Sequence, residues 1–265
     1  MRYMILITLC CMTILLACSG KDKITVDKIR PIPPILVPHK GDLGDISIVN
    51  GAPVMQWNDE NNGIDAVPDG DWLRVSWEHL LDSDLDFIKI YRFDEFDPIP
   101  VIIDTMQYNQ AQDFYLDSKS SLLTNRRYSY FIELVDNAGN TSLSDTVSYS
   151  LLSKQILSNP AADSTSGSPN VKFKWRKSGI VSWFRLILFK PQQNTNDERE
   201  YLWHTDVQAT TTEGDVFEAT APVGLLQDYM GQYVIWRVDA FEWDSELQIF
   251  IGSESNERTL YLSSK

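Results

Sequence analysis

Tyr128-Ser129-Tyr130-Phe131-Ile132-Glu133-Leu134-Val135 alternates large apolar with smaller or polar residues and runs into Asp136-Asn137-Ala138-Gly139-Asn140. Tyr128, Tyr130, Ile132 and Leu134 share one side at a period of two, which is the pattern of a half-buried β-strand. The residues that follow form a turn cluster. Working outward, Leu73, Val75 and Trp77 alternate in Trp72–Trp77, Phe87–Arg92 forms another strand, and Thr146–Leu151 closes the set. Helical periodicity is weak throughout. Many short strands at regular spacing predict an all-β sandwich.

These residues resemble a fibronectin type III domain over about residues 50–152. Leu73-x-Val75-x-Trp77 looks like that family's B strand with its core tryptophan, and Asp84–Arg92 looks like its C strand. Leu122, six residues before Tyr128, looks like the family's tyrosine corner, and Tyr128–Val135 with the Asp136–Asn140 turn looks like strand F and its F–G loop. The acidic segment Asn58–Asp71 is longer than a typical A–B loop and leaves strand A poorly placed. The second half repeats the scheme less cleanly. Val171–Trp175 is B-like, Ser182–Phe189 C-like, Tyr233–Ala240 F-like, and Gly252–Ser255 leads into a G strand at Arg258–Leu262. Its register aligns Val234, not Tyr233, with Trp236, Val238 and Ala240, which puts a second tyrosine corner in doubt. Trp77 recurs at Trp175, a period of roughly 100 residues that suits tandem sandwiches.

The N-terminus is an address. Arg2 precedes an apolar run to Ala17 that is short for a bilayer-spanning helix, and together they make a secretory signal. Leu15-Leu16-Ala17-Cys18 resembles the bacterial lipobox, which implies cleavage before Cys18 and lipidation of it, with two or more acyl chains anchoring stably. Ser19, rather than Asp, follows the cysteine; by the same resemblance this favours the outer membrane, on either its periplasmic or its surface face. Pro31-Ile32-Pro33-Pro34-Ile35-Leu36-Val37-Pro38 disfavours helix and central strand and reads as a semi-rigid stalk. The expected organisation is a signal peptide over 1–17, lipidated Cys18 and a Pro-rich tether over 18–44, a fibronectin type III domain over 45–153 and a fibronectin-like domain over 154–265. The short linker around Ser153–Pro160 predicts end-to-end domains with limited bending.

The chain has 265 residues and a net charge of −14, which disfavours nucleic acid as a partner. Its three cysteines are Cys10, Cys11 and Cys18, so maturation leaves one thiol, with no internal disulfide and no thiolate metal cluster. His39, His79 and His204 show no metal-ligand spacing, and no nucleophile elbow, phosphate-binding glycine loop or zinc-protease motif is present. No cofactor is called for. Asp82-x-Asp84-x-Asp86 starts like a calcium loop but lacks its glycine and its closing glutamate; a solvated acidic edge is the plainer reading. Trp77, Trp175 and Trp236 belong in cores. Trp183, Tyr201, Trp203 and Trp243 do not, and are candidates to stack on sugars or anchor a protein, or else to cover the domain joint. The expected function is that of a non-catalytic, lipid-anchored cell-envelope scaffold that engages a protein or matrix partner. The alternative is a surface lipoprotein that binds polysaccharide through its aromatics.

Overall fold

The computed structural model describes residues 27–39, 47–49, 52–54, 63–190 and 201–264. In chain order the strands are β1 (Ser47–Val49), β2 (Ala52–Val54), β3 (Asp65–Ala66), β4 (Leu73–Ser76), β5 (Leu85–Asp94), β6 (Val101–Gln107), β7 (Phe114–Asp117), β8 (Arg126–Asp136), β9 (Thr141–Leu143) and β10 (Val147–Leu151). The second half adds β11 (Ile156–Asn159), β12 (Ser164–Ser166), β13 (Lys172–Arg176), β14 (Trp183–Phe189), β15 (Tyr201–Gln208), β16 (Val216–Thr220), a single 3₁₀ turn Leu225–Tyr229, β17 (Tyr233–Asp244), β18 (Ile249–Glu254) and β19 (Arg258–Leu262). β1 and β2 pair as a hairpin of their own.

Each half is a sandwich. In the first, β3-β4-β7 faces a sheet in which β5 lies between β6 and β8, and β8 continues to β9 and β10. Leu73, Val75, Ile88, Ile90, Tyr130, Ile132 and Leu134 fill the space between, on the alternating positions expected from a period of two. Tyr128 closes the corner: its hydroxyl accepts the Leu123 amide at 2.8 Å, and Leu122 is buried beside it. In the second half, β11-β13-β16 faces β15-β14-β17 with β18 and β19. Trp175 and Trp236 are fully buried there, against Phe184 and Phe173 respectively. The fold is therefore all-β with two sandwiches, as the alternation predicts.

Two features differ from the sequence reading. The first corrects the stalk, for its described residues 27–39. Pro31, Pro34 and Leu36 are buried, Leu36 bridges to Trp77, the Val37 amide donates to Ser76 O at 2.9 Å, and Glu78 donates to Ile35 O at 2.9 Å. The proline-rich run thus lies along the end of β4 through a single β-bridge, where missing N–H donors are tolerated, and it takes the place of the strand A that the sequence reading could not place. Gly63 keeps it close: a Cβ there would lie 2.1 Å from Pro38 O. Second, Gly252–Glu254 is not a lead-in but part of β18; the G strand is split by Ser255–Glu257, where the Ser255 amide donates to Val238 O. In line with the register read from the sequence, no tyrosine corner forms at Tyr233, which is exposed beside Tyr261, while Val234 points inward.

Candidate functional site

The two sandwiches meet through backbone. β10 pairs with β18 in parallel at Leu151 and Gly252, and the Leu152 amide donates to Gly252 O at 3.0 Å. One sheet therefore runs from the first half into the second. The requirement for glycine at 252 comes from within the second sandwich, where a Cβ would sit 2.6 Å from Ala240 O; across the joint it would meet the Tyr149 hydroxyl at 3.4 Å, an ordinary contact.

Side chains reinforce the joint. Lys154 Nζ donates to Val67 O at 2.6 Å and Pro68 O at 3.0 Å on one side, and to Glu254 O at 2.6 Å on the other. Burial holds its pKa below the usual lysine value, against the pull of Glu254 and Asp71. Ser253 Oγ donates to Ser153 O, and Arg127 on β8 pairs with Asp244 at 3.0 Å and Glu246 at 2.8 Å on the β17–β18 hairpin. The imidazole of His39, the last described residue of the proline-rich segment, is buried here. Its Nδ1 donates to Ile64 O at 2.9 Å and lies 3.6 Å from Asp65. Desolvation pushes the imidazole down to about 4, with the Ile64 bond opposing. A void no larger than a water molecule is lined by His39 and Tyr149 from the first half and by Asp239, Phe241, Phe250 and Gly252 from the second.

Beside the joint, the outward side of β14 and β17 carries charges that are buried. Arg185 makes a two-pronged pair with Asp206 at 2.6 and 2.8 Å, and Arg237 does the same with Asp239 at 2.9 and 3.1 Å. Arg237 also reaches Glu254 at 2.9 Å. Burial raises the Asp239 pKa, and Arg237 pulls it back. This cluster went unmarked in the sequence reading. Its signal was there: Arg185 interrupts an apolar strand, and Arg237-Val238-Asp239 puts opposite charges at i and i+2, which is one side of one strand.

The aromatics singled out by sequence do not form one platform. Trp183 and Trp243 come together, packed on Phe241 and Phe250, with Trp243 and Phe250 ring centroids 5.1 Å apart. Trp203 stands opposite Leu188 and packs on the main core. Tyr201 is exposed, and its hydroxyl bonds His204 Nδ1. The three aspartates also separate: Asp82 accepts the Ile32 amide, and Asp86 accepts Gln107. Asp84 instead gathers with Asp27 and Asp136, their carboxylate oxygens within 4.8 Å of one another. Asp136 already accepts the Ala138 and Asn140 amides and the Asn140 side chain, which hold its pKa low although its own desolvation acts the other way. Cys18 lies outside the described residues.

No protein-family model and no curated protein matches the chain. Among solved structures, it is similar to the chicken CNTN1 FN1-FN3 domains at 12% identity, covering 88% of this chain and 67% of that one, with a TM-score of 0.30. Pectate lyase Pel3 from Pectobacterium carotovorum is similar at 12% identity over 41% of this chain and 38% of that one, with a TM-score of 0.26. The sandwich assignment rests on the strand pairing described above.

Proposed function

We propose that the chain is a non-catalytic, lipid-anchored protein of the bacterial cell envelope, held through Cys18 to the outer membrane, that presents two rigidly joined fibronectin type III-like sandwiches to a protein or matrix partner. The observation that carries this reading is the joint: backbone pairing at Leu151 and Gly252, with Lys154 bridging both halves, suits a spacer of fixed geometry better than a hinge. The course of the chain supports the anchoring. Asp27 lies beside Asn140 and Asp136, at the end of β8 away from Arg127 and the second sandwich. The span from Cys18 to Asp27 is at most about 30 Å, so the first sandwich would stand next to the membrane and the second farther out. The histidines support a non-catalytic role: His39 is locked on a carbonyl, His204 on a tyrosine, and His79 is exposed.

A second reading draws on the Trp183–Trp243 patch, whose half-buried rings could stack on a polysaccharide. Metabolic labelling with an alkynyl palmitate, followed by membrane fractionation, tests the anchoring. Label on the wild-type chain and none on Cys18→Ala, which should leave the membrane fraction, is the expected result; label that persists on Cys18→Ala overturns it. Titration of the same protein with polysaccharides, read by tryptophan fluorescence, separates the two binding readings. Saturable quenching lost in Trp243→Ala favours the glycan.

A further inference from the structure

Two exposed patches on this chain are opposite in charge and both apolar at their centres. The first is the turn between β5 and β6 and the strand it feeds. Phe96, Ile99, Val101 and Ile102 are 75%, 70%, 50% and 53% exposed, and Glu95 and Asp97 stand exposed among them. Single exposed apolar residues need no explanation, but four large ones lie here within seven positions, with the Arg126 guanidinium over the Phe96 ring at 5.0 Å. The turn is held in shape by Asp94, which accepts the Phe96 and Asp97 amides and pairs with Arg126 at 2.6 Å. Among the described residues β6 has β5 as its one neighbour, so its outer edge is open.

The second patch is the outward side of β11-β13-β16. Lys172, Lys174 and Arg176 occupy alternate positions of β13, while Phe173 and Trp175 between them are buried. Ile156 and Val216 flank Arg176 in register and are 55% and 62% exposed. Glu218 takes both lysines, at 3.4 and 2.9 Å, and is the one acidic group among the outward positions of the three strands. Three cations against one anion make a positive stripe on a chain whose net charge is −14.

We infer that copies of this chain associate head to tail, the Glu95–Ile102 turn of one copy docking on the Lys172–Arg176 face of the next. Charge complementarity selects the arrangement. A two-fold pairing of like patches would set Glu95 and Asp97 against their own copies, or the cations against theirs, and like charges in contact disfavour it. The heterologous contact pairs opposite charges around apolar centres. Repeated from copy to copy, it extends into rows, or into a ring where the rotation closes.

Sedimentation velocity of the full chain in non-ionic detergent tests this. Wild type should grow beyond a dimer with concentration and shrink in high salt. Glu95→Lys/Asp97→Lys and Lys174→Glu/Arg176→Glu should each weaken self-association by about tenfold or more. Mixing the two variants sets the reversed turn of one against the reversed face of the other, and the native turn of the second against the native face of the first, so the mixture should regain association, as should the chain carrying all four reversals. Unchanged thermal melts establish that each variant folds. A wild type that stays monomeric, a closed dimer, or charge-reversed variants that assemble as well as wild type would each overturn the inference.

Discussion

His39 makes the packing of the proline-rich segment measurable. The unfolded chain protonates this imidazole near 6.5, while the folded chain holds it neutral down to about 4 because the proton would be buried at the joint. At about 1.4 kcal/mol for each pH unit, the gap is worth roughly 3 kcal/mol. The folded value is depressed, so this contribution is fully present above pH 6.5, is lost progressively as the pH falls, and is exhausted near 4. Two carboxylates face it: Asp65 lies 3.6 Å away, and Asp239, whose own pKa is raised, lines the same void. The useful quantity is therefore the difference between wild type and His39→Gln, which keeps a donor for Ile64 O and cannot take the proton. Urea unfolding followed by tryptophan fluorescence should show wild type losing about 3 kcal/mol more than His39→Gln between pH 7.5 and 4. Parallel curves would mean that His39 is solvated and that the segment stands free of the sandwich.

Other substitutions probe other contacts. Lys154→Met strands three carbonyls that now share an ammonium, relieved in part by the lost cost of burying the charge; a loss of about 3 kcal/mol is expected in urea unfolding. Arg237→Met leaves Asp239 and Glu254 buried with a main cation gone, and should lower stability by about 3–5 kcal/mol, read from thermal melts. Tyr128→Phe removes the hydroxyl that accepts the Leu123 amide and should cost about 1 kcal/mol by the same assay.

The alternation in Leu73–Trp77, Phe87–Arg92 and Tyr128–Val135 was enough for the first sandwich, because each strand is buried on one side and solvated on the other, which is what a period of two records. The same logic left strand A unplaced. Prolines argue against a central strand, but a segment bridged to the end of β4 loses nothing by lacking those donors. It also predicted that Trp183 faces away from the core, which it does, but away from the core is not away from protein. Arg185, Ile187, Phe189 and Arg237 share that outward side and are all buried. The joint was out of reach for a different reason. Gly252, Lys154 and Leu151 become partners only through contacts far apart in sequence, and none of the three carries a local pattern.

The central claim is that the two sandwiches behave as one rigid unit. Pulsed dipolar spectroscopy between nitroxides placed at exposed Ser120 in the first half and exposed Ser168 in the second, with the native cysteines replaced by serine, measures it directly. One narrow distance distribution, broadening in Lys154→Met, is the expected result. A distribution already broad in the wild type would show that the joint is a hinge and would contradict the account.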